Sequence, residues 1–320
     1  MASFSLTRRL PAGNAWAELV EHPELLLGLA APDLAPGNTF TAVSHAGSAS
    51  GTIESVAGDS VGFSWRLGGW PEPARLQVDI GTQLRIEAGG VPDADLAVVQ
   101  KHWERVANDT ADYLASPDPA TDRPAAVLFD ADGVLQTPRK GWLDEFVGLG
   151  GPGFVAEAFT AEGKCLSGEQ ELLPLLREIL DRSGAEGTAE EVIEVWNTID
   201  VDPDALEVVR RVRDTGLPVG LATNQQSSRG AVMRDVLGLD QHFDHHFYSY
   251  LVGAAKPSAD YFERVIDELG VSADRVVFVD DMPANVVAAR KVGLRGVLHR
   301  TSTGASGLAN GLAAIGVPVH

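Results

Sequence analysis

A single cysteine, Cys165, is all the chain contains, so no intrachain disulfide can form. Basic residues are also scarce: 25 Lys and Arg stand against 45 Asp and Glu, a formal net charge of -20. Neither nucleic acid nor an anionic membrane surface is an expected partner, because both need a basic face. A local lysine with a divalent cation can still receive a small anion inside so acidic a chain. Apolar runs stay short of the roughly 18 residues that a membrane helix needs. Residues 1–13 carry Arg8 and Arg9 but no apolar stretch, so no secretory leader is expected and the cytoplasm is the expected compartment. What is plentiful is apolar side chain, 44% of 320 residues, which suits a folded chain of two domains.

The first part of the chain reads as α+β. Phe4, Leu6 and Leu10 flank polar residues in an opening strand, and Pro11 precedes a helix around Trp16 and Leu19. Thr52 to Trp65 reads as a hairpin turning at Gly58-Asp59-Ser60. Leu76, Val78, Ile80, Leu84 and Ile86 share one parity and read as a second strand region. Leu96, Val99, Trp103, Val106, Thr110 and Tyr113 recur at helical spacing, with Asp93 as the expected N-cap. Carried by Phe4-Ser5-Leu6, Trp16 to Leu19, Gly51 to Glu54, Gly81 to Leu84 and Trp103 to Leu114, residues 1–116 resemble the START-like helix-grip (SRPBCC) family. That family includes the domains homologous to the activator of the Hsp90 ATPase. The resemblance implies a cavity between sheet and helix for an apolar ligand or a protein partner; the plainer reading is that Trp65, Trp70 and Trp103 fill the core. Residues 117–124, rich in Pro and Asp, read as a linker.

The remainder, 125–320, opens with Ala125 to Phe129, an unbroken apolar run that reads as a strand buried on both faces of a parallel sheet. It runs into Asp130-Ala131-Asp132-Gly133, and ligands sit at the carboxyl ends of such strands. Asp and Gly are also ordinary residues of a turn that ends a strand, so the weight comes from the other strand ends. Leu217 to Ala222 ends in the small polar donors Thr223-Asn224-Gln225, Phe247 to Tyr250 is followed by Lys256-Pro257, and Arg275 to Val279 ends in Asp280-Asp281 with Asn285 beyond. Between the first strand and the rest, about Thr137 to Ala205, the apolar periodicity of Leu172–Leu180 and Val192–Ile199 predicts a small helical cap, with Gly148 to Gly153 as a candidate hinge. Alternating strands and helices predict a doubly wound, Rossmann-like α/β domain.

This ordered set resembles the haloacid dehalogenase-like hydrolase superfamily, in the subclass whose helical cap follows the first motif. Phe278 to Asn285 is similar to the phosphatase domain of bifunctional epoxide hydrolases. The resemblance implies that Asp130 is a nucleophile forming an aspartyl-phosphate and that Asp132 is the general acid and base. It also implies that Mg²⁺ is held by Asp130, Asp281 and the backbone carbonyl of Asp132, with Asp280 and Asn285 behind them. Lys256 neutralises the nucleophile and the phosphoryl oxygens, and Thr223 and Asn224 hold the phosphoryl group. The chemistry asks for such a set, because two like charges ~4 Å apart cost about 4 kcal/mol at an effective dielectric near 20. An acid at position 132 favours a small phosphate ester over a halide, since halide leaves without a proton. A phosphomutase shares the same motifs and stays open as an alternative. So does a non-enzymatic ligand-binding or chaperone-associated protein acting through its first domain. His242, His245 and His246 lack a companion ligand pair and read as structural, and Cys165 as a buried small hydrophobe.

Overall fold

The computed structural model describes residues 1–319 except 12, 29–30, 45–46, 117–122 and 152, so most of the expected linker lies outside the described residues. The chain divides into two compact units, Met1–Pro117 and Asp118–His320. No described helix is long and apolar enough to cross a membrane.

The first unit has six antiparallel strands, β1 (Ala2–Arg9), β2 (Thr39–Ser44), β3 (Gly47–Ala57), β4 (Ser60–Leu67), β5 (Ala74–Ile80) and β6 (Gln83–Val91), with the short helices Ala15–Glu21 and Glu24–Leu27 between β1 and β2. Their spatial order is β1-β6-β5-β4-β3-β2. The run from Leu76 to Ile86 is therefore two strands rather than one. Gly81 and Thr82 turn the chain, and Leu84 pairs back with Ile80, so the shared parity marks one face of a hairpin. The helix Leu96–Ala115 packs on β1 and β6 and buries Val99, Trp103, Ala107, Thr110 and Tyr113. Its first turn follows Asp95 and not Asp93, whose carboxylate takes the terminal ammonium at 3.1 Å instead. Trp65, Trp70 and Trp103 are all buried, with ring centroids of Trp65 and Trp103 5.9 Å apart. On the other face of the sheet, Thr39, Thr41, Ser50, Thr52 and Ser64 line an open groove of about 500 Å³.

The second unit is built on five parallel strands in the order β11-β10-β7-β12-β13: β7 (Ala126–Phe129), β10 (Val219–Thr223), β11 (His245–Tyr248), β12 (Val276–Asp280) and β13 (Arg295–Leu298). β7, β10 and β12 are buried at every position, which is why they read as unbroken apolar runs. Helices cover both faces. Pro203–Asp214 starts on Asp202, whose side chain accepts from the amides of Asp204 (2.9 Å) and Ala205 (3.1 Å). Ala205 thus belongs to the first turn of this helix and not to the cap. After β10 a short α-helix, Ser227–Ala231, runs into a π-helical turn, Val232–Val236. His246 Nε2 sits 2.9 Å from the Asp240 carbonyl and the His245 ring stacks on Phe247.

The insert is tethered by two short strands, β8 (Gln136–Pro138) and β9 (Ile199–Val201), paired antiparallel with Gln136 opposite Val201. Ile199 is therefore in a strand, not at the end of a helix. Between them lie the helices Trp142–Gly150, Phe154–Gly163, Leu172–Ser183 and Ala189–Trp196. These bury a core of their own around Phe146, Val155, Leu176, Val192 and Trp196, which includes Cys165. Gly148 and Gly150 are inside the first of these helices, and Gly151 closes it in an extended turn. The cap meets the body where the Ser227 hydroxyl donates to Glu171 and where Gly168 lies so close to the Tyr250 carbonyl that a Cβ would stand 2.3 Å from it.

Candidate active site

Three strands of the parallel sheet deliver polar residues to one edge. β7 passes directly into Asp130, whose amide still donates to the Val279 carbonyl of β12 at 2.9 Å. The chain then turns sharply, with the amides of Leu135 and Gln136 both donating to the Ala131 carbonyl at 2.8 and 3.0 Å. Gly133 makes the turn possible. Its φ is +79°, and a Cβ there would lie 1.7 Å from Asp281 Oδ2. β12 ends in Asp280, and Asp281 projects from the loop that starts the helix Pro283–Lys291.

Lys256 reaches the same point from the loop after β11. Its Nζ donates to the Ala222 carbonyl (2.8 Å) and Asp280 Oδ2 (2.7 Å) and lies 2.9 Å from Asp130 Oδ1. The ammonium is fully enclosed and also stands 5.2 Å from the Phe278 ring centre. Asp280 is saturated: besides Lys256 it accepts from the Met282 amide at 2.7 Å and from Asn285 Nδ2 at 3.1 and 3.0 Å. Asp281 differs, because its buried Oδ2 has no partner. Carboxylate oxygens of Asp130, Asp280 and Asp281 all lie within 4.8 Å of one another.

One ammonium thus faces three carboxylates. Burial first, then the charges of Asp280 and Asp132, push the Asp130 carboxyl up to about 7, against the opposing pull of Lys256. Asp281 is pushed well above the carboxylate range by burial and by Asp280 and Asp130. Burial works against the Lys256 ammonium, but Asp130 and Asp280 outweigh it and raise its pKa. A divalent cation would satisfy the open oxygen of Asp281 and let both acids ionise. Oxygen-only donors without His or Cys suit a hard ion such as Mg²⁺.

Of the residues singled out from sequence, Asp130, Lys256, Asp280, Asp281 and Asn285 converge here. The Asp132 carboxylate turns aside to a cluster of donors: Arg229 NH2 (2.7 Å), Gln225 Nε2 (2.7 Å) and Gln136 Nε2 (3.1 Å). Thr223 is fully buried and its hydroxyl accepts from Gln225 Nε2 at 3.2 Å. The Asn224 side chain is hydrogen-bonded to the backbone of Lys256. Its Nδ2 donates to the Lys256 carbonyl (2.8 Å) and its Oδ1 accepts from the Lys256 amide (2.9 Å), so both ends of the amide are committed. Gln136 and Arg229 were not singled out from sequence. Gln225 was read only as one of the small polar donors that end its strand, whereas Arg229 carries no local signal.

Residues 124–293 match the sequence profile of the family described as haloacid dehalogenase-like hydrolase. A sesquiterpene phosphatase of Aspergillus oryzae is 34% identical over 103 residues, which are 32% of this chain and 52% of that protein. The chain therefore spans only about half the length of that relative. A phosphorylated carbohydrates phosphatase of Thermotoga maritima is 25% identical over 205 residues, 60% of this chain and 94% of that protein. Among solved structures, the magnesium complex of a haloacid dehalogenase-family enzyme from Bacteroides thetaiotaomicron superposes with a TM-score of 0.51 at 18% identity, over 56% of this chain and 95% of its own, a likeness of fold. The profile covers more than half of the sequence, and the chain belongs to the haloacid dehalogenase-like hydrolase family.

Proposed function

We propose that residues 125–320 are a Mg²⁺-dependent phosphatase that hydrolyses a small phosphate ester through an aspartyl-phosphate on Asp130. The observation that carries this reading is the pairing of two buried carboxylates, Asp130 on the enclosed ammonium of Lys256 and Asp281 with its Oδ2 unpartnered. Relatives named as phosphatases point the same way.

Asp130, Asp281 and the Asp132 carbonyl would hold the ion, and Asn285 keeps Asp280 turned toward Lys256. The bound ion supplies positive charge that offsets repulsion between the carboxylate and the incoming phosphate. Asp130 attacks phosphorus, the bond to the leaving oxygen breaks, and Asp132 gives that oxygen its proton. Asp132 then takes a proton from water as the water oxygen bonds to phosphorus and Asp130 is released. The acid–base role is worth about 10²–10⁴ in rate. Lys256 stabilises the charge that builds on the phosphoryl oxygens. Thr223 and the backbone amides near Ala131 and Asn224 are the remaining candidates to hold the phosphoryl group, and the cap excludes bulk water.

Hydrolysis of 4-nitrophenyl phosphate with and without Mg²⁺ tests this. Wild-type activity should need the ion, and Asp130→Asn should lower it by about 10³-fold or more. A wild-type chain inert toward a broad panel of phosphate esters in Mg²⁺ would overturn the reading. For residues 1–116 we propose a helix-grip domain of the START-like type, on the ground that the six-stranded sheet packs the long helix Leu96–Ala115.

A further inference from the structure

Arg229 is buried at the edge of the site, with 8% of its side chain exposed. Its NH2 donates to Asp132 Oδ1 at 2.7 Å, and its Nε is buried without a partner. A guanidinium enclosed in this way is costly to desolvate and is a poor device for stability alone. Gln136 and Gln225, the other two donors to Asp132, are also buried, and each leaves its amide oxygen unpartnered. Three donors from three separate segments thus converge on one carboxylate: the strand that enters the cap, the turn after β10, and the first turn beyond it. Together they hold the Asp132 side chain by both of its oxygens.

The cap brings a carboxyl within electrostatic range of the guanidinium. Glu162, at the end of the helix Phe154–Gly163, is partly buried and accepts a hydrogen bond from the Trp196 side chain. The charge of Arg229 acts on Glu162 as well as on Asp132. We propose that Arg229 is a positioning residue: it fixes the direction from which Asp132 gives its proton to the leaving oxygen. The inference rests on the reading of Asp132 as acid and base. No further group enters the reaction, because the proton comes from Asp132 and returns to it from water.

The test compares full-length wild type, Arg229→Ala and Arg229→Lys on two substrates in Mg²⁺. 4-Nitrophenyl phosphate has a leaving group that needs little protonation, and phenyl phosphate one that needs much more. Because kcat/KM reports the steps up to transfer onto Asp130, a misdirected acid should show there selectively. Arg229→Ala should lower kcat/KM about 10²-fold for phenyl phosphate and less than about fivefold for 4-nitrophenyl phosphate, with Arg229→Lys in between. Equal losses on the two substrates, or none, overturn the proposal. A second measurement does not depend on turnover. In EDTA, the urea midpoints of Arg229→Ala, Asp132→Asn and the double variant should be non-additive, and additive midpoints also overturn it. A wild type inactive on both esters, with non-additive midpoints, would instead sink the phosphatase reading and leave the Arg229–Asp132 coupling standing.

Discussion

Asn224 and Lys256 are joined twice, side-chain amide to backbone, with the Asn224 Nδ2 to Lys256 carbonyl distance at 2.8 Å and the Lys256 amide to Asn224 Oδ1 distance at 2.9 Å. This pair of bonds fixes the loop from which the lysine reaches between Asp130 and Asp280. Asn224→Ala removes both bonds and leaves two backbone groups without them. Stability should fall by about 1–3 kcal/mol. Phosphate-ester turnover should fall about 10–100-fold, since misplacement of a reacting group by about 1 Å costs on that order. Urea unfolding and steady-state kinetics on the same preparation check the two effects.

Gly133→Ala is a harsher change than its size suggests. The backbone there is left-handed, and the new methyl would occupy the space of Asp281 Oδ2. The strain costs on the order of 1–3 kcal/mol. Displacement of the Asp281 oxygen should also weaken Mg²⁺ binding about tenfold or more, by analogy with disturbed ligand shells elsewhere. Isothermal titration with MgCl₂ beside a thermal melt separates the two losses.

Mg²⁺ should stabilise the protein even with no substrate present. At one hundred times its Kd, an ion that binds only the folded chain adds about 2.7 kcal/mol. Asp281→Asn should abolish the increment, because the oxygen left open in the acidic cluster belongs to that residue. The comparison is the shift in melting temperature on adding MgCl₂ to each protein.

Glu162 gives a pH signature of its own. Burial, its largest influence, raises the carboxyl from 4.5 to about 7, although Arg229 pulls the other way. Between those values the folded chain holds a proton that the unfolded chain has released. Its contribution is therefore complete below about pH 4.5 and is lost as pH rises through about 7. Glu162→Gln removes that slope, so the variant should gain on wild type across this window, by on the order of 3 kcal/mol at most. Melting curves of both proteins at pH 4.5, 6 and 7.5 would show parallel lines if Glu162 titrated normally.

The central strands were legible because burial on both faces forces residues 126–129, 219–222 and 276–279 to be apolar without a break. Strand ends in a parallel sheet share an edge, which is why Asp130, Lys256, Asp280 and Asp281 could be grouped from sequence alone. Periodicity was blind to a reversal between residues of equal parity, so the turn at Gly81 was not separated from the strands around it. The bonds of Asn224 to the Lys256 backbone were not legible, because an amide serves an anion or a backbone equally well, and tertiary contact decides between them. Arg229 had no signal at all. An arginine in a polar helix start reads as solvated, and only the fold brings it to Asp132, ninety-seven positions away.

The paired strands at the root of the cap have a mechanical consequence. Both passages of the chain into the insert run side by side through one ladder, Gln136 to Val201 and Pro138 to Ile199. The insert is therefore joined to the body through a single ladder, which is the pivot for any swing that releases the contacts at Glu171 and Gly168. Gln136 rides on that pivot with its amide on Asp132, so each swing re-aims a neighbour of the acid.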